Sequence, residues 1–307
     1  MIQPIALLPL LVALSPWTFL VPKEAPPPPP PTAADPARVA RVRDAMRPLG
    51  REARLGPWRV LTDVAAPELA GIEAVAPHLA EAYTARYGLA ASPGGGQVVA
   101  IFSTDTRYRA FAKTDGVSLP GSNGLASAGL AAFAAGRDPL ETRVLFVREA
   151  TRLLSRGALG EGLPPWLDEG LAADLASCRV DRDGRLVPGT LDGREDAAPS
   201  AHGAPSPRAN VEAWLERARS GRALPLAAIL ARGSRLFENP GARTDAVIES
   251  AMLVRWCLAE PARAETFREF LRAVSLRGAA DDRALAAALG LDEATLSKKF
   301  FEWLKTL

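Results

Sequence analysis

Imidazole and thiol are the scarcest reactive groups in this chain, whose 307 residues include two His, His78 and His202, and two Cys, Cys178 and Cys257. Two thiols exclude a disulfide-dense scaffold and a thiolate metal cluster, and leave one bridge or two buried thiols as the alternatives. With two imidazoles, a site that needs two or three of them close together cannot be assembled within one chain. An excess of charge of one sign is also missing: 37 basic and 35 acidic residues leave a formal +2. No strong field is available to hold a phosphate backbone, so nucleic acid is excluded as a partner. Lysine is sparse too, with five residues against a large majority of Arg among the basic side chains. What the chain does have is apolar surface. At 48% hydrophobic and 23% charged residues it is too apolar for wholesale disorder and predicts a packed globular body.

The two ends of the chain differ in kind. From Ile5 to Val21 there is no charge, and Leu, Ala, Val, Phe and Trp dominate. Residues 1–22 therefore read as a signal sequence or a membrane anchor. The cleavage candidate Ala13-Leu14-Ser15 is followed by Pro16, so removal and retention both stay open; a lipid-modified cysteine is excluded because none lies near the run. Six consecutive prolines, Pro26 to Pro31, follow. They lack amide donors and fix φ, which makes 23–36 a stiff linker. The expected location is exported: periplasmic, extracellular, or tethered to the cell envelope by the N-terminal segment.

Residues 37–307 read as the globular part, of α+β class. Strands are expected at Trp58–Thr62, at Gln97–Phe102 and, once or twice, within Leu125–Ala134. Helical spacing of apolar residues runs through Ala66–Tyr87 and Thr106–Lys113. This small mixed α/β portion gives way to a mainly helical C-terminal half. Helices are expected at Pro139–Leu154 and Pro165–Ala176, a hairpin within Cys178–Val187, and helices again from Asn210 onward.

One stretch carries chemistry. Val147-Arg148-Glu149-Ala150-Thr151-Arg152-Leu153-Leu154 is followed, after a Gly-rich turn, by Pro165-Trp166-Leu167-Asp168-Glu169-Gly170-Leu171-Ala172. The pair resembles the gluzincin-type, peptidase MA-like zinc metallopeptidases. Their first helix carries His-Glu-x-x-His and their second a Trp-Leu-x-Glu-Gly-x-Ala signature. In those enzymes two imidazoles one turn apart and a Glu of the second helix hold Zn²⁺, and the first Glu is general base to the bound water. The resemblance implies a zincin-like fold for 37–307. It puts Glu149 on the general-base position, Glu169 on the third ligand, and Arg148 and Arg152 on the two histidines. Val247 falls where relatives often carry a Tyr near the site, and Trp166, Asp168 and Val247 are the residues expected to line a cleft.

Arginine offers only donors and keeps its proton, so Arg148 and Arg152 cannot coordinate a metal. Zinc is expected for the family but not for this chain, and Glu149 becomes a vestigial catalytic position. Two guanidinium groups bring to Glu149 and Glu169 the two positive charges that the dication would have brought. The expectation is that ion pairs fill the vacated position and keep the helices in register; the alternative is that both arginines face solvent on an amphipathic helix. Functionally this predicts a catalytically inactive metallopeptidase-like protein that binds a peptide or protein or serves as structural scaffold. The competing expectation is an active metal-dependent peptidase with non-standard ligands drawn from Glu149, Asp168, Glu169, Asp174 and His202.

Overall fold

The computed structural model describes residues 32–90, 96–116, 124–188, 207–277 and 283–307. The apolar N-terminal run, most of the Pro-rich linker and His202 lie outside the described residues. The chain enters through helix α1 (Pro36–Ala45), capped by Asp35, whose side chain accepts from the Ala37 amide. The front portion then runs β1 (Arg51–Leu55), β2 (Trp58–Thr62), α2 (Ala66–Val75), α3 (Leu79–Tyr87), β3 (Val98–Phe102), α4 (Asp105–Thr114), β4 (Gly124–Ser127) and β5 (Leu130–Ala134). The strands form one mixed sheet in the order β1-β2-β3-β5-β4. Its middle strands β2, β3 and β5 are parallel, and each edge strand is antiparallel to its neighbour.

Alternation in β3 explains why both faces are covered. Val99 and Ile101 point to one side and Val98, Ala100 and Phe102 to the other, as the two-residue period of a strand requires. The second side packs on α1 and α4 through Val39, Val42, Met46, Tyr108 and Phe111. The first side meets α2, α3 and a long helix, α5 (Pro139–Leu159), and belongs to a larger core that continues into the helical half.

Helix α5 starts with Asp138, whose carboxylate accepts from the Glu141 amide at 2.7 Å, with Pro139 at a position where no donor is needed. It stops at Gly160, which adopts φ 94°. Next come α6 (Pro165–Ala176), the hairpin β6 (Arg179–Val180) and β7 (Leu186–Val187), α7 (Pro207–Arg219), α8 (Leu226–Leu230) and a single 3₁₀ turn (Arg235–Phe237). The chain closes with α9 (Pro240–Leu258), α10 (Pro261–Arg277), α11 (Ala284–Ala288) and α12 (Glu293–Leu304). The molecule is thus a mixed α/β structure compatible with the α+β class.

Three local features depart from the sequence expectations. The continuous spacing over Ala66–Tyr87 is broken into α2 and α3 at Pro77, which has no amide N–H to continue the helical hydrogen-bond ladder. Strand β1 escaped notice because its side chains are mostly exposed and polar; it is held by pairing with β2. Helix α9 begins earlier than the apolar pattern, at Asn239-Pro240, where the Asn239 side chain accepts from the Gly241 amide at 2.9 Å.

The crossing of α6 and α9 is set by Gly170. A Cβ there would sit 2.9 Å from the Ser250 carbonyl oxygen, so the helices approach as closely as they do only because residue 170 has no side chain. Gly170→Ala is expected to destabilise by about 1–3 kcal/mol, seen as a lower urea midpoint. Gly71→Ala is the control. There the added methyl meets nothing closer than 3.5 Å, and the helix should gain up to about 1 kcal/mol.

Candidate functional site: a buried arginine–carboxylate cluster

The face of α5 turned toward α6 carries Arg148, Arg152 and Arg156, one per turn, with Glu149 beside the first. Asp168, in the first turn of α6, and Glu169, the residue after it, come from the start of the helix that Pro165 opens. A third element supplies a side chain that sequence reasoning missed: Arg243, from the first turn of α9, reaches Glu169.

Both motif arginines turn inward. Arg148 Nη2 donates to Glu169 Oε2 at 2.5 Å. Arg152 is shared: Nη1 donates to Glu149 Oε2 at 2.9 Å, while Nε and Nη2 both donate to Asp168 Oδ2 at 3.0 and 2.9 Å. Its approach to Glu169 is only 4.0 Å. The bridge between α5 and α6 is therefore Arg148–Glu169 plus Arg152–Asp168, rather than Arg152–Glu169. Arg156 adds Nη2 to Asp168 Oδ2 at 2.8 Å and Nη1 to Glu161 at 3.0 Å. Arg243 donates Nη2 to Glu169 Oε1 at 2.9 Å and Nη1 to the Phe237 carbonyl at 2.8 Å.

Burial makes these pairs obligatory. Glu149 is 0% exposed and Asp168 and Glu169 are 3% and 4%. A carboxylate so placed without a counter-ion would cost several kcal/mol. Four guanidinium groups face Glu149, Asp168, Glu169 and, at the rim, Glu161, so the cluster is neutral as a whole. Burial pushes the Glu169 carboxyl up. The nearby Arg148, Arg152 and Arg243 charges outweigh it and hold the group down at about 2. Burial likewise opposes the charge on Arg152, yet Asp168, Glu169 and Glu149 keep it protonated well beyond the ordinary guanidinium range. Strand β4 closes the cluster from the sheet side: a Cβ on Gly124 would lie 2.6 Å from the Glu149 carboxyl. Among the described residues two atoms inside have no hydrogen-bond partner, Glu149 Oε1 and Arg148 Nε.

The residues expected to line a cleft sit otherwise. Trp166 is 2% exposed and stacks on Phe270 with ring centroids 6.4 Å apart. Asp168 is inside the ion cluster, and Val247 is half-buried against the main core. Trp166 and Asp168 are both buried, the first against Phe270 and the second against Arg152 and Arg156. On α9 the side chain that enters the cluster is Arg243, one turn before Val247. Asp174, a candidate ligand from sequence, is fully buried elsewhere on α6. It accepts from Arg86 Nε at 2.5 Å, Tyr87 Oη at 2.8 Å and Arg255 Nε at 3.1 Å, a second clamp that ties α3 and α9 to α6. His78 lies in the turn before α3, against the hairpin at Gly184. Cys178 and Cys257 are buried free thiols, and burial raises the Cys178 thiol to about 11.

These donors do not fit Zn²⁺. The guanidinium groups of Arg148 and Arg152 have no lone pair to give, and Glu149, Asp168, Glu169 and Asp174 are each committed to arginine. No family model, curated protein or solved structure matches the chain.

Replacing Arg152 with Met strands Glu149 and Asp168 with weakened compensation, and a loss of about 3–5 kcal/mol is expected in denaturant unfolding. A double-mutant cycle of Arg152→Met with Asp168→Leu should give a coupling of about 0.5–3 kcal/mol. Glu169 also sets a pH dependence. Its folded value of about 2 lies below the ordinary 4.5, so its contribution is complete above about pH 4.5 and is lost as pH falls toward 2. Thermal midpoints measured across that window should fall in the wild type and change less in Glu169→Gln.

Proposed function

We propose that this chain is a catalytically inactive protein of the gluzincin, peptidase MA-like type, with a zincin-like fold, in which an ion-pair cluster has taken over the place of the metal and holds the site helices together. The observation that carries this reading is the position of Arg148 and Arg152. The resemblance puts both on the positions of imidazoles, and Arg148 is bonded to Glu169 and Arg152 to Glu149 and Asp168, which supports the reading. The order of a small α/β portion, motif helix, second helix, hairpin and helical half supports it.

The chemistry follows from the donor set. Hydrolysis by this kind of site needs a water made acidic by a metal and a carboxylate free to take its proton. Glu149 has Arg152 on one oxygen and Gly124 packed over the carboxyl. It has neither the metal-bound water nor the room to act as general base. What the cluster does instead is mechanical: it locks α5, α6 and α9 into one rigid unit. The protein acts as a scaffold in the cell envelope, presenting its surface to a peptide or protein partner. The N-terminal apolar segment and Pro-rich linker export it or tether it there; among the described residues no helix is long and apolar enough to cross a membrane.

Metal analysis tests the reading. The purified full chain should carry no stoichiometric zinc and show no chelator-sensitive peptide cleavage. The double variant Arg148→His/Arg152→His, which frees Glu169 Oε2, should take up zinc in equilibrium dialysis. Stoichiometric zinc with cleavage in the wild type would overturn the proposal in favour of a peptidase with non-standard ligands.

A further inference from the structure

Helix α9 buries a second carboxyl that, unlike Glu169, has no cation beside it. Glu249 is 0% exposed, and among the described residues neither Oε1 nor Oε2 has a hydrogen-bond partner. Facing it from α7 is Trp214, also 0% exposed, whose indole Nε1 likewise has no partner. The Leu224 backbone amide points to the same spot from the segment between α7 and α8. Among the described residues the charged group that acts on Glu249 is Asp245, a turn earlier on the same helix. Asp245 is in turn held by Arg217 of α7 at 2.5 Å. The α7–α9 contact is therefore built from an apolar indole, one partly exposed ion pair and a sealed carboxyl.

A carboxyl in such a place is tolerable only as the neutral acid, because ionising it would strand a negative charge beside an indole and a second carboxylate. We propose that Glu249 is a proton-operated latch on the α7–α9 interface: the neutral carboxyl lets α7 seat over it, and loss of its proton to solvent drives α7 off α9. Moving α7 hydrates the carboxylate, exposes Trp214 and breaks Arg217–Asp245. The arginine cluster, on other faces of α5, α6 and α9, stays closed.

The direction of the pH effect follows from linkage. Burial, helped by the Asp245 carboxylate and offset only in part by the N–H groups of Trp214 and Leu224, which lie close without completing a hydrogen bond, raises the Glu249 carboxyl to about 8 from an ordinary 4.5. Since the docked form binds the proton more tightly, docking is strongest at and below about pH 4.5. It weakens by up to about tenfold per pH unit as pH rises toward 8. This slope is opposite in sign to that of Glu169, which loses its contribution as pH falls.

Hydrogen exchange of the full chain between pH 5 and 9, corrected for intrinsic amide rates, tests the latch. Protection of α7 amides should drop several-fold per pH unit in the wild type, with α5 and α6 unchanged, while Glu249→Gln should keep α7 protected and flatten its pH dependence. Identical pH courses in the two proteins, or loss of protection spread evenly over all helices, would overturn it. If the variant does not fold, the ¹³C carboxyl shift of Glu249 in the wild type decides: a midpoint near 8 supports the latch and one near 4.5 sinks it.

Discussion

A guanidinium group can only donate, and a carboxylate buried between helices must receive. From that pairing follow the arrangement of the three central helices and the chemistry they exclude. Arg148 and Arg152 offer donors alone, and Glu149, Asp168 and Glu169 are buried against them. Each set answers the other's requirement. The same logic is repeated on a smaller scale at Asp174, where Arg86, Tyr87 and Arg255 converge.

Buried ion clusters are weak contributors to net stability, because desolvation offsets most of the Coulomb gain, but breaking one by removing a single member is severe. Such a cluster therefore specifies geometry more than it adds stability. Here it specifies the crossing of α5, α6 and α9, together with the close backbone approach at Gly170 and Ser250. Apolar packing would tolerate small slides of one helix past another; paired charges with fixed donor directions do not. Glu249 is the counter-example on the same helix: a carboxyl with no cation, kept neutral by its surroundings and sensitive to the solvent's proton activity.

Much of this was legible from residue order. Periodicity located β2, β3, β5 and the central parts of most helices, because their apolar residues face one core and recur with the period of the element. Proline chemistry located the starts of α5 and α6. The expectation failed where local pattern and tertiary context part. Pro77 interrupts an otherwise helical run, and β1 is a strand through its partner rather than its own side chains. Trp166 and Asp168, expected to line a cleft, are buried, the first against Phe270 and the second against two arginines. Arg156 had a signal that went unread, the four-residue spacing Arg148–Arg152–Arg156 on one face of a helix.

Residue types alone decided that no imidazole pair exists at the motif and that two guanidinium groups stand there, since coordination depends on the atoms a side chain carries. Which carboxylate each arginine meets was decided only by folding. Arg152 takes Asp168 and Glu149, Arg148 takes Glu169, and Arg243 arrives from a helix about seventy residues later in the chain. A charged side chain in a chain of many arginines has many candidate partners, and only the crossing of the helices brings one of them within hydrogen-bond distance.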